Sequence, residues 1–582
     1  MVLVFAAIIF FGCILSPPRL FDDVDAVQAQ IARNMLDSGD WVTARLNGVA
    51  YLEKPPLVYW MMASSYRVFG VYDWAARLPL ALTTILLCWV TFRFGKWAFG
   101  EKAGVNAGIA LGTCVGLFLF TRILIPDAAL TLCITVSIAA VFRLLEEETE
   151  SAKWSIILGL GLGTGILLKG LIALVFPALT LVFYMAATKQ IFNWQRWMRL
   201  RPITTSCIAI AIAAPWHVMA TLRNPPYFVS TMHSGPGQYH GFFWFYFVNE
   251  HLLRFLNRRY PHDYNTVPVI WFWLLNLVWL FPRSLYLPAV VRQSFQPRDR
   301  ASRARLIALC SIAAVMIFFS FSTTQEYYSL PIYPAMALLI GSAMAENRRM
   351  LLVCNRALAV LLGCILLVLI AVLSMTRGMS AAGNISQSLT QNPDMYTLSL
   401  GHMGDLTLRS FAYLRFPLAL ACVAIVLGLV SILFWRNKAA VPVIGLACMM
   451  ALFFHAARSA MVTFDSYLGS YPLAVALEKS PPGELLANNA YYDFSSVYFY
   501  SNRHVRMLHG RINNLEYGSN APEAPHVFLD EKEFVDIWKS PKRCYLLVHG
   551  TELQQIGQWA NETSMIVVQK NADDYLLTNH IF

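Results

Sequence analysis

The stretch ALAVLLGCILLVLIAVLSM, residues 357–375, contains no charged side chain and directly follows Arg356. A run of about 20 apolar residues is long enough to cross the hydrocarbon core of a bilayer as an α-helix. Comparable runs recur along the 582 residues, of which 57% are hydrophobic and only 14% charged. A soluble domain carries roughly a quarter charged residues. The sequence therefore predicts a polytopic α-helical membrane protein.

The apolar runs predict about thirteen transmembrane helices. The first run lacks the basic leader and the small-residue cleavage site of a signal peptide, so we expect it to be a retained helix. The predicted spans are 1–16, 79–98, 103–120, 127–144, 154–168, 171–188, 202–222, 266–288, 305–322, 331–346, 357–375, 411–435 and 440–458.

Positive charge is concentrated in short loops between the spans. These loops contain Lys189, Arg196, Arg199 and Arg201; Arg292, Arg298, Arg300, Arg303 and Arg305; and Arg348, Arg349 and Arg356. The positive-inside rule assigns such loops to the cytoplasmic face. The net charge of +11 is thus explained by membrane orientation, and no nucleic-acid partner is predicted.

The longer loops, 17–78, 223–265 and 376–410, then lie on the outer face together with the tail from residue 459. In the tail, short alternating or β-branched runs are separated by polar turns, a pattern typical of strands. We therefore predict a transmembrane domain over residues 1–458 and a soluble outer α/β domain over residues 459–582.

The first outer loop contains an unusual acidic cluster in FDDVDAVQAQ, residues 21–30. If a helix begins near Asp22, that carboxylate is a good N-cap, and Asp23 and Asp25 flank the apolar stripe of the helix. Capping and the helix dipole explain one or two aspartates. They do not explain three, so Asp23 and Asp25 are candidate catalytic residues.

Two further outer segments place charge beside apolar runs. In YLEKPPLVYW, residues 51–60, Glu53 and Lys54 either form a mutual or interfacial ion pair or take part in a site. In a site, Lys54 would bind an anionic headgroup and Glu53 a sugar, a metal or the acceptor. In TRILIPDAAL, residues 121–130, Asp127 either caps a helix behind Pro126 or acts with the first-loop aspartates as an acid or base.

The loop 223–265 is rich in aromatic, basic and histidine residues, which suits a helix lying at headgroup depth. Glu250 and Arg254 could pair at i,i+4, or His251 and Arg254 could hold a phosphate. Arg258 and Arg259 are expected to contact lipid headgroups. The histidines have no spacing that specifies a metal.

The segment STTQEYYSLPIYPAMAL, residues 322–338, places Glu326 and Tyr328 on the same outer face. Tyrosines at this position are typical of an interfacial belt. A carboxylate beside them favours a substrate-binding site.

Together these motifs resemble those of the polyprenyl-phosphate-sugar glycosyltransferases of the GT-C class. The likeness is greatest to the aminoarabinose lipid A transferases and more distant to the protein O-mannosyltransferases. It is carried, over roughly residues 20–340, by FDDVDAVQAQIARNMLDSGDW, LNGVAYLEKPPLVYW, IPDAAL, FVNEHLLRF and QEYYSLPIYPAMALL.

The resemblance implies a GT-C fold in the bacterial inner membrane. It also implies a sugar donor linked to undecaprenyl phosphate, used at the periplasmic face with inversion at the anomeric carbon. Residues implied to act are one acidic residue within Asp22–Asp25, then Glu53, Lys54, Asp127, His251, Arg254 and Tyr328. The family often has adjacent Asp and Glu where this chain has DDVD, which leaves the choice between Asp23 and Asp25 open.

The implied chemistry fits these residue types. Lys54 and Arg254 could neutralise the charge that develops on the departing polyprenyl phosphate. A hydroxyl acceptor needs a base, for which Asp23 or Asp25 is the candidate, with Asp127 positioning sugar or acceptor. A phosphate acceptor needs no base, and the carboxylates would then bind the donor's amino group or a cation.

The expected partners are the lipid-linked donor, membrane lipids and an acceptor that is lipid A, another glycolipid or a protein. No cofactor is required, although a divalent cation is compatible with the carboxylates. Two other classes of membrane protein share parts of this pattern, secondary transporters and scaffolding proteins. A secondary transporter places its charges near the bilayer midplane in broken helices, whereas these charges lie in loops. A scaffolding protein would depend on the tail alone.

Overall fold

The chain folds into a membrane region of long helices and a smaller sheet-containing unit that lies against its first loop. The structure is a computed structural model, and it describes residues 1–147, 151–262, 266–346, 348–390, 399–434, 440–560 and 565–581.

The membrane region and its loops contain nineteen helices in the described residues. They are α1 (Val2–Ile14), α2 (Val24–Ser38), α3 (Leu57–Phe69), α4 (Asp73–Phe99), α5 (Glu101–Gly112), α6 (Val115–Phe120), α7 (Asp127–Glu146), α8 (Ser151–Lys169), α9 (Ile172–Ala187), α10 (Trp194–Arg199), α11 (Pro202–Arg223), α12 (Gly241–Phe243, continued by a π-helical segment, Trp244–Leu253), α13 (Val269–Trp279), α14 (Leu287–Val291), α15 (Arg300–Ser320), α16 (Tyr333–Glu346, preceded by a 3-10 segment, Glu326–Ile332), α17 (Arg348–Met375), α18 (Arg415–Phe434) and α19 (Ala440–Thr463).

Nine helical segments within the described ranges are long and apolar enough to cross a membrane, and a tenth span results if one sharply bent pair is counted once. Helices α1 and α9 are apolar but shorter. The multi-pass helical architecture is thus confirmed, while the predicted number of about thirteen exceeds the number of full-length spans.

Two predicted spans are not continuous helices. Segment 103–120 is interrupted between α5 and α6, where the Val115 amide donates to the Phe281 carbonyl at 3.2 Å. Segment 266–288 contains the bent pair, in which α13 and the helical segment from Arg283 meet at 94°. Pro282 lies at this bend, and because proline has no amide hydrogen it cannot extend the hydrogen-bond ladder of α13.

The C-terminal unit is built around a six-stranded mixed sheet. Its strands are β3 (Glu484–Asn488), β4 (Arg506–Leu508), β5 (Phe528–Leu529), β6 (Cys544–His549), β7 (Ile566–Asn571) and β8 (Asp574–Thr578), in the order β5-β4-β3-β6-β8-β7. Strands β3 to β6 pair in parallel, and β8 runs antiparallel to both β6 and β7. The accompanying helices are α20 (Asp465–Leu468), α21 (Tyr471–Lys479), α22 (Ser495–Ser501), α23 (Asn514–Ser519), α24 (Glu531–Trp538) and α25 (Leu553–Ala560).

The first loop binds this unit to the membrane region. A hairpin of β1 (Arg45–Leu46) and β2 (Val49–Ala50) turns at Asn47 and Gly48, which both have positive φ, as a two-residue hairpin turn requires. The Asn47 side chain forms hydrogen bonds with both backbone groups of Val505. Apolar residues of α2 and α3 share a buried core with those of β3, β4 and α22. These contacts hold the sheet against α2, α3 and the first loop.

Candidate active site

A cavity of about 440 Å³ lies where the first loop, the ends of α7, α8 and α15, the π-helical segment and the Glu326–Ile332 segment meet. Its wall combines charged groups with a broad apolar surface. The polar lining is Glu53, Lys54, Asp127, Lys169, Tyr246, Glu250, His251, Arg254, Ser322, Thr323, Tyr327 and Tyr328, and the apolar lining includes Phe247, Phe255, Phe318 and Phe319.

Six of the nine candidate residues lie on this wall although they are distant in the chain. They are Glu53, Lys54, Asp127, His251, Arg254 and Tyr328. The other three, Asp23, Asp25 and Glu326, are not among the lining residues.

Arg254 connects several of the lining groups. It donates to Glu250 at 2.8 Å, to Glu53 at 3.4 Å and to the Tyr328 hydroxyl at 3.2 Å. Arg254 thus forms the i,i+4 pair with Glu250 and also lines the cavity. The π-helical segment directly before Arg254 adds a wide turn of a kind often found at functional sites.

The Glu53 carboxylate is held ionised by its surroundings. Burial alone would raise its pKa, but the positive charges of Lys54, Arg259 and Arg254, together with a hydrogen bond from Tyr51, lower the pKa to about 2. Glu53 therefore carries its negative charge throughout the physiological pH range.

Asp127 is the first residue of α7, and Pro126 occupies the N-cap position before it. Its carboxylate accepts a hydrogen bond from the Lys169 ammonium at 2.6 Å. The same ammonium lies 4.7 Å from the centre of the Tyr328 ring. Sequence reasoning missed Lys169, and the available signal was a single lysine at the outer end of the apolar helix α8.

Lys54 differs from the other cations of the cavity. It is attracted electrostatically to Glu53 and Asp23, but in the described part of the chain its ammonium group makes no hydrogen bond or ion pair. A lysine that lines a largely apolar cavity near carboxylates, but with no carboxylate bonded directly to its ammonium group, is suited to receive an anion.

His251 is occupied on both ring nitrogens. Its Nδ1 lies 2.6 Å from the Tyr246 carbonyl, and its Nε2 accepts from the Leu171 amide at 3.1 Å. These partners define a neutral ring with the proton on Nδ1. Burial lowers the pKa of His251, which also favours the neutral ring. In this arrangement His251 positions the π-helical segment against the turn between α8 and α9.

The prediction that Arg259 contacts lipid headgroups is wrong. Its side chain is buried, donates to Glu250 and to the Asn514 side chain, and donates to the Pro261 carbonyl at 2.9 Å. These three acceptors satisfy a guanidinium that is enclosed by the protein and is out of reach of lipid headgroups. Arg258, by contrast, is exposed.

Asn514, from the C-terminal unit, joins the two carboxylates that flank Arg254. Its Oδ1 accepts from Arg259, which contacts Glu250. Its Nδ2 donates to the Tyr51 hydroxyl at 3.4 Å, and Tyr51 donates to Glu53 at 2.8 Å. Sequence reasoning missed Asn514, because no motif marks it.

The three aspartates of the acidic cluster lie in different structural positions from those predicted. Helix α2 begins at Val24, so Asp23 occupies the N-cap position, without a side-chain cap bond; the prediction that Asp22 caps the helix is wrong. Asp22 instead accepts from the Ser470 hydroxyl and the Ser496 amide, each at 2.7 Å. These hydrogen bonds attach the start of α2 to the C-terminal unit.

Asp25 is a buried structural anchor. Its carboxylate faces Arg77 at 3.3 Å and accepts from the Leu124 amide at 3.1 Å. Only 3% of each charged side chain in this pair is exposed, so neither can move to the cavity without separating a buried ion pair.

Asp23 remains exposed on one side and has a perturbed acidity. Desolvation and the nearby Asp493 raise its pKa to about 6, against the opposing effect of Lys54. Its φ of +70° is unusual for a residue other than glycine, and hydrogen bonds from its amide to Tyr492 and from the Ser495 hydroxyl to its carbonyl maintain it.

Glu326 is buried and accepts from the Ser399 amide at 2.9 Å. This contact ties the described part of the loop 376–410 to the membrane region. Within the described ranges, no three His, Cys, Asp or Glu residues are grouped closely enough to hold a metal ion.

The sequence is similar to a known family and to named bacterial relatives. A family model described as dolichyl-phosphate-mannose-protein mannosyltransferase matches residues 53–218. The undecaprenyl phosphate-alpha-4-amino-4-deoxy-L-arabinose arabinosyl transferase of Aeromonas hydrophila is 28% identical over 371 residues, which are 62% of this chain and 63% of that relative. An enzyme of the same name from Pseudomonas fluorescens is 25% identical over 91% of this chain and 86% of its own. The Aeromonas alignment thus spans about three-fifths of either protein.

The fold comparison extends over nearly the whole chain. The crystal structure of ArnT from Cupriavidus metallidurans bound to undecaprenyl phosphate has a TM-score of 0.79 and 22% identity, covering 99% of this chain and 97% of that one. Its apo structure has a TM-score of 0.77. Sequence and fold together confirm that the chain resembles the polyprenyl-phosphate-sugar glycosyltransferases of the GT-C class, as its motifs predicted.

Proposed function

We propose that this chain is an inverting glycosyltransferase of the bacterial inner membrane. It transfers a sugar from undecaprenyl phosphate to lipid A or another glycolipid at the periplasmic face. The names of its relatives from Aeromonas and Pseudomonas, which contain an aminoarabinose and undecaprenyl phosphate, support this donor. So does the ligand named for the Cupriavidus structure.

The observation that carries the proposal is the position of Lys54. It lines the cavity beside Arg254 and Lys169, both already engaged by carboxylates. A polyprenyl phosphate places its anionic headgroup at the membrane surface and its chain in the bilayer. The charged part of the wall suits the phosphate, and the phenylalanine surface suits the first isoprenoid units.

The reaction is one displacement at the anomeric carbon. The bond from that carbon to the phosphate oxygen breaks, and the phosphate leaves with the electron pair. The acceptor oxygen forms the new bond on the opposite face. Lys54 and Arg254 stabilise the charge that grows on the departing phosphate, an effect strengthened where water is scarce.

The acceptor determines the role of the carboxylates. A phosphate of lipid A is already ionised, so it needs no base. Asp127 and Glu53, which face Lys169 and Arg254, then bind a positively charged amino group of the donor with their remaining acceptor oxygens. A hydroxyl acceptor must lose its proton. Asp23, with a pKa of about 6, is suited to accept it near neutral pH.

A direct test uses the purified chain with undecaprenyl-phosphate-linked aminoarabinose and lipid A, with products read by mass spectrometry. The expected product is lipid A heavier by one sugar. Lys54→Met replaces the lysine with an uncharged side chain of similar length. It should lower kcat/KM by about a hundredfold or more.

Lys102→Met is the matched control, since Lys102 is exposed at the start of α5. Its activity should equal that of the unaltered chain. Sugar transfer that is undiminished in Lys54→Met would exclude the proposed phosphate contact. Absence of any lipid-linked sugar turnover would exclude the proposed activity.

A protein acceptor is a second candidate, favoured by the family model that matches residues 53–218. In that case glycopeptides from periplasmic proteins, rather than lipid A, should lose one sugar mass in cells that lack this chain. Mass spectrometry of both fractions from the same cells distinguishes the two acceptors.

A further inference from the structure

A second, larger cavity of about 810 Å³ lies between α4, α7, α8 and the start of α15. Arg143, on its wall, is sixteen residues after Asp127 in the same helix, α7. At 1.5 Å per residue this places it about 24 Å along the helix from the candidate active site. The cavity therefore opens near the opposite membrane face.

The lining of this cavity is cationic and aromatic. It contains four basic residues and no described carboxylate, together with three tryptophans and an apolar surface. The basic residues and tryptophans are Arg93, Lys96, Arg143, Arg300, Trp89, Trp97 and Trp154. Tryptophans are characteristic of the depth at which lipid headgroups meet acyl chains.

Nearby carboxylates neutralise only part of this charge. Lys96 pairs with Glu101 at 3.2 Å, and Arg143 pairs with Glu147. Within the described ranges the guanidinium groups of Arg93 and Arg300 contact only tryptophan rings, at 5.4 and 5.0 Å from the ring centres.

An unpartnered donor points to the same chemistry. The indole N–H of Trp154 is buried and has no hydrogen-bond partner among the residues that the structure describes. A buried donor without an acceptor costs about 1–3 kcal/mol. An oxygen of an anionic headgroup would satisfy this N–H and neutralise the adjacent arginines.

We propose that this cavity is a binding site for an anionic phospholipid of the leaflet opposite the candidate active site. The phosphate lies between Arg93 and Arg300, and the first acyl carbons pack on Val90, Val136 and Ile157. Basic pockets between transmembrane helices bind anionic headgroups for the same electrostatic reason. This site does not depend on the glycosyltransferase activity proposed above.

Native mass spectrometry of the purified full chain tests the proposal. The chain is titrated with phosphatidylglycerol and, separately, with phosphatidylcholine of the same acyl chains. Retention of one phosphatidylglycerol in preference to phosphatidylcholine is expected. The double variant Arg93→Gln, Arg300→Gln should weaken that binding roughly twentyfold, from about fivefold per cation removed.

Two further variants separate local binding from general charge and folding. Arg93→Lys, Arg300→Lys should retain most of the preference. Arg67→Gln, Arg409→Gln removes two exposed arginines elsewhere and should leave it unchanged.

Equal binding of both lipids by the unaltered chain would overturn the proposal. So would equal losses in the Arg93, Arg300 glutamine variant and in the Arg67, Arg409 control. Displacement of the lipid by millimolar inorganic phosphate would indicate a site for soluble anions and would also overturn it.

Discussion

At the scale of single residues, the two candidate aspartates differ in environment more than in sequence. Asp23 and Asp25 are two positions apart, yet Asp23 is exposed and Asp25 is enclosed with Arg77. Asp23 is the N-cap residue and its side chain makes no cap hydrogen bond, while Asp25 lies on the buried side of the helix. Asp25 is therefore an anchor of this motif, and Asp23 is its remaining candidate for chemistry.

For Asp23 we predict a defined change in the pH profile. Its folded-state pKa of about 6 lies above the ordinary value of 3.8, so a base at this position loses its charge as the pH falls through about 6. With a hydroxyl acceptor, kcat/KM should decline below that pH. In Asp23→Asn the rate should be low at every pH and the acid limb should be absent. An unchanged acid limb in this variant would assign the titration to another group.

For Asp25 we predict a loss of stability instead. Asp25→Asn leaves the buried Arg77 without its carboxylate, although Arg77 still donates to the Pro18 and Arg19 carbonyls. The cost should be about 2–3 kcal/mol, seen as a lower thermal unfolding midpoint. Asp23→Asn is the matched control. Since the raised pKa of Asp23 means that its ionisation opposes folding at neutral pH, Asp23→Asn should not lower the midpoint.

At the scale of elements, apolar runs predicted the helices well because each run had only to match the bilayer thickness. The interruptions were harder to predict. The bend after α13 had a visible signal in Pro282, whereas the break before α6 depends on the hydrogen bond from Val115 to the Phe281 carbonyl. That contact joins residues far apart in the chain, and no local pattern encodes it.

The turn between α8 and α9 provides an element-scale prediction. A Cβ on Gly170 would lie 2.2 Å from His251 Nε2 and 2.5 Å from the Tyr246 hydroxyl, and the φ of +78° also disfavours a side chain. Gly170→Ala should therefore displace the π-helical segment that leads to Arg254 and lower kcat at least tenfold. Gly363→Ala, where nothing lies within 4 Å, should retain full activity. Equal activity of the two variants in the sugar-transfer assay would contradict the proposed packing.

At the scale of the whole molecule, the site combines groups that the sequence could identify with groups that it could not. Lys54 and Arg254 were identifiable because charges beside apolar outer segments are costly without a role. Lys169 was missed because a lysine ending an apolar helix is typical of an ordinary interfacial anchor. Asn514 was missed because it is 255 residues from Arg259 and belongs to the sheet-containing unit.

Asn514 therefore tests whether that unit completes the site. Asn514→Ala removes both the acceptor of Arg259 and the donor to Tyr51, so the carboxylates on either side of Arg254 lose their common support. We expect kcat to fall about tenfold, which corresponds to ~1.4 kcal/mol, with a smaller change in KM. Asn514→Asp, which keeps an acceptor for Arg259, should lose less.

Asn520→Ala is the control, because the Asn520 amide group donates to the Glu516 carbonyl within the same helical region, away from Arg254. If Asn514→Ala matched Asn520→Ala in kcat, the C-terminal unit would be a passive neighbour of the cavity rather than part of its framework.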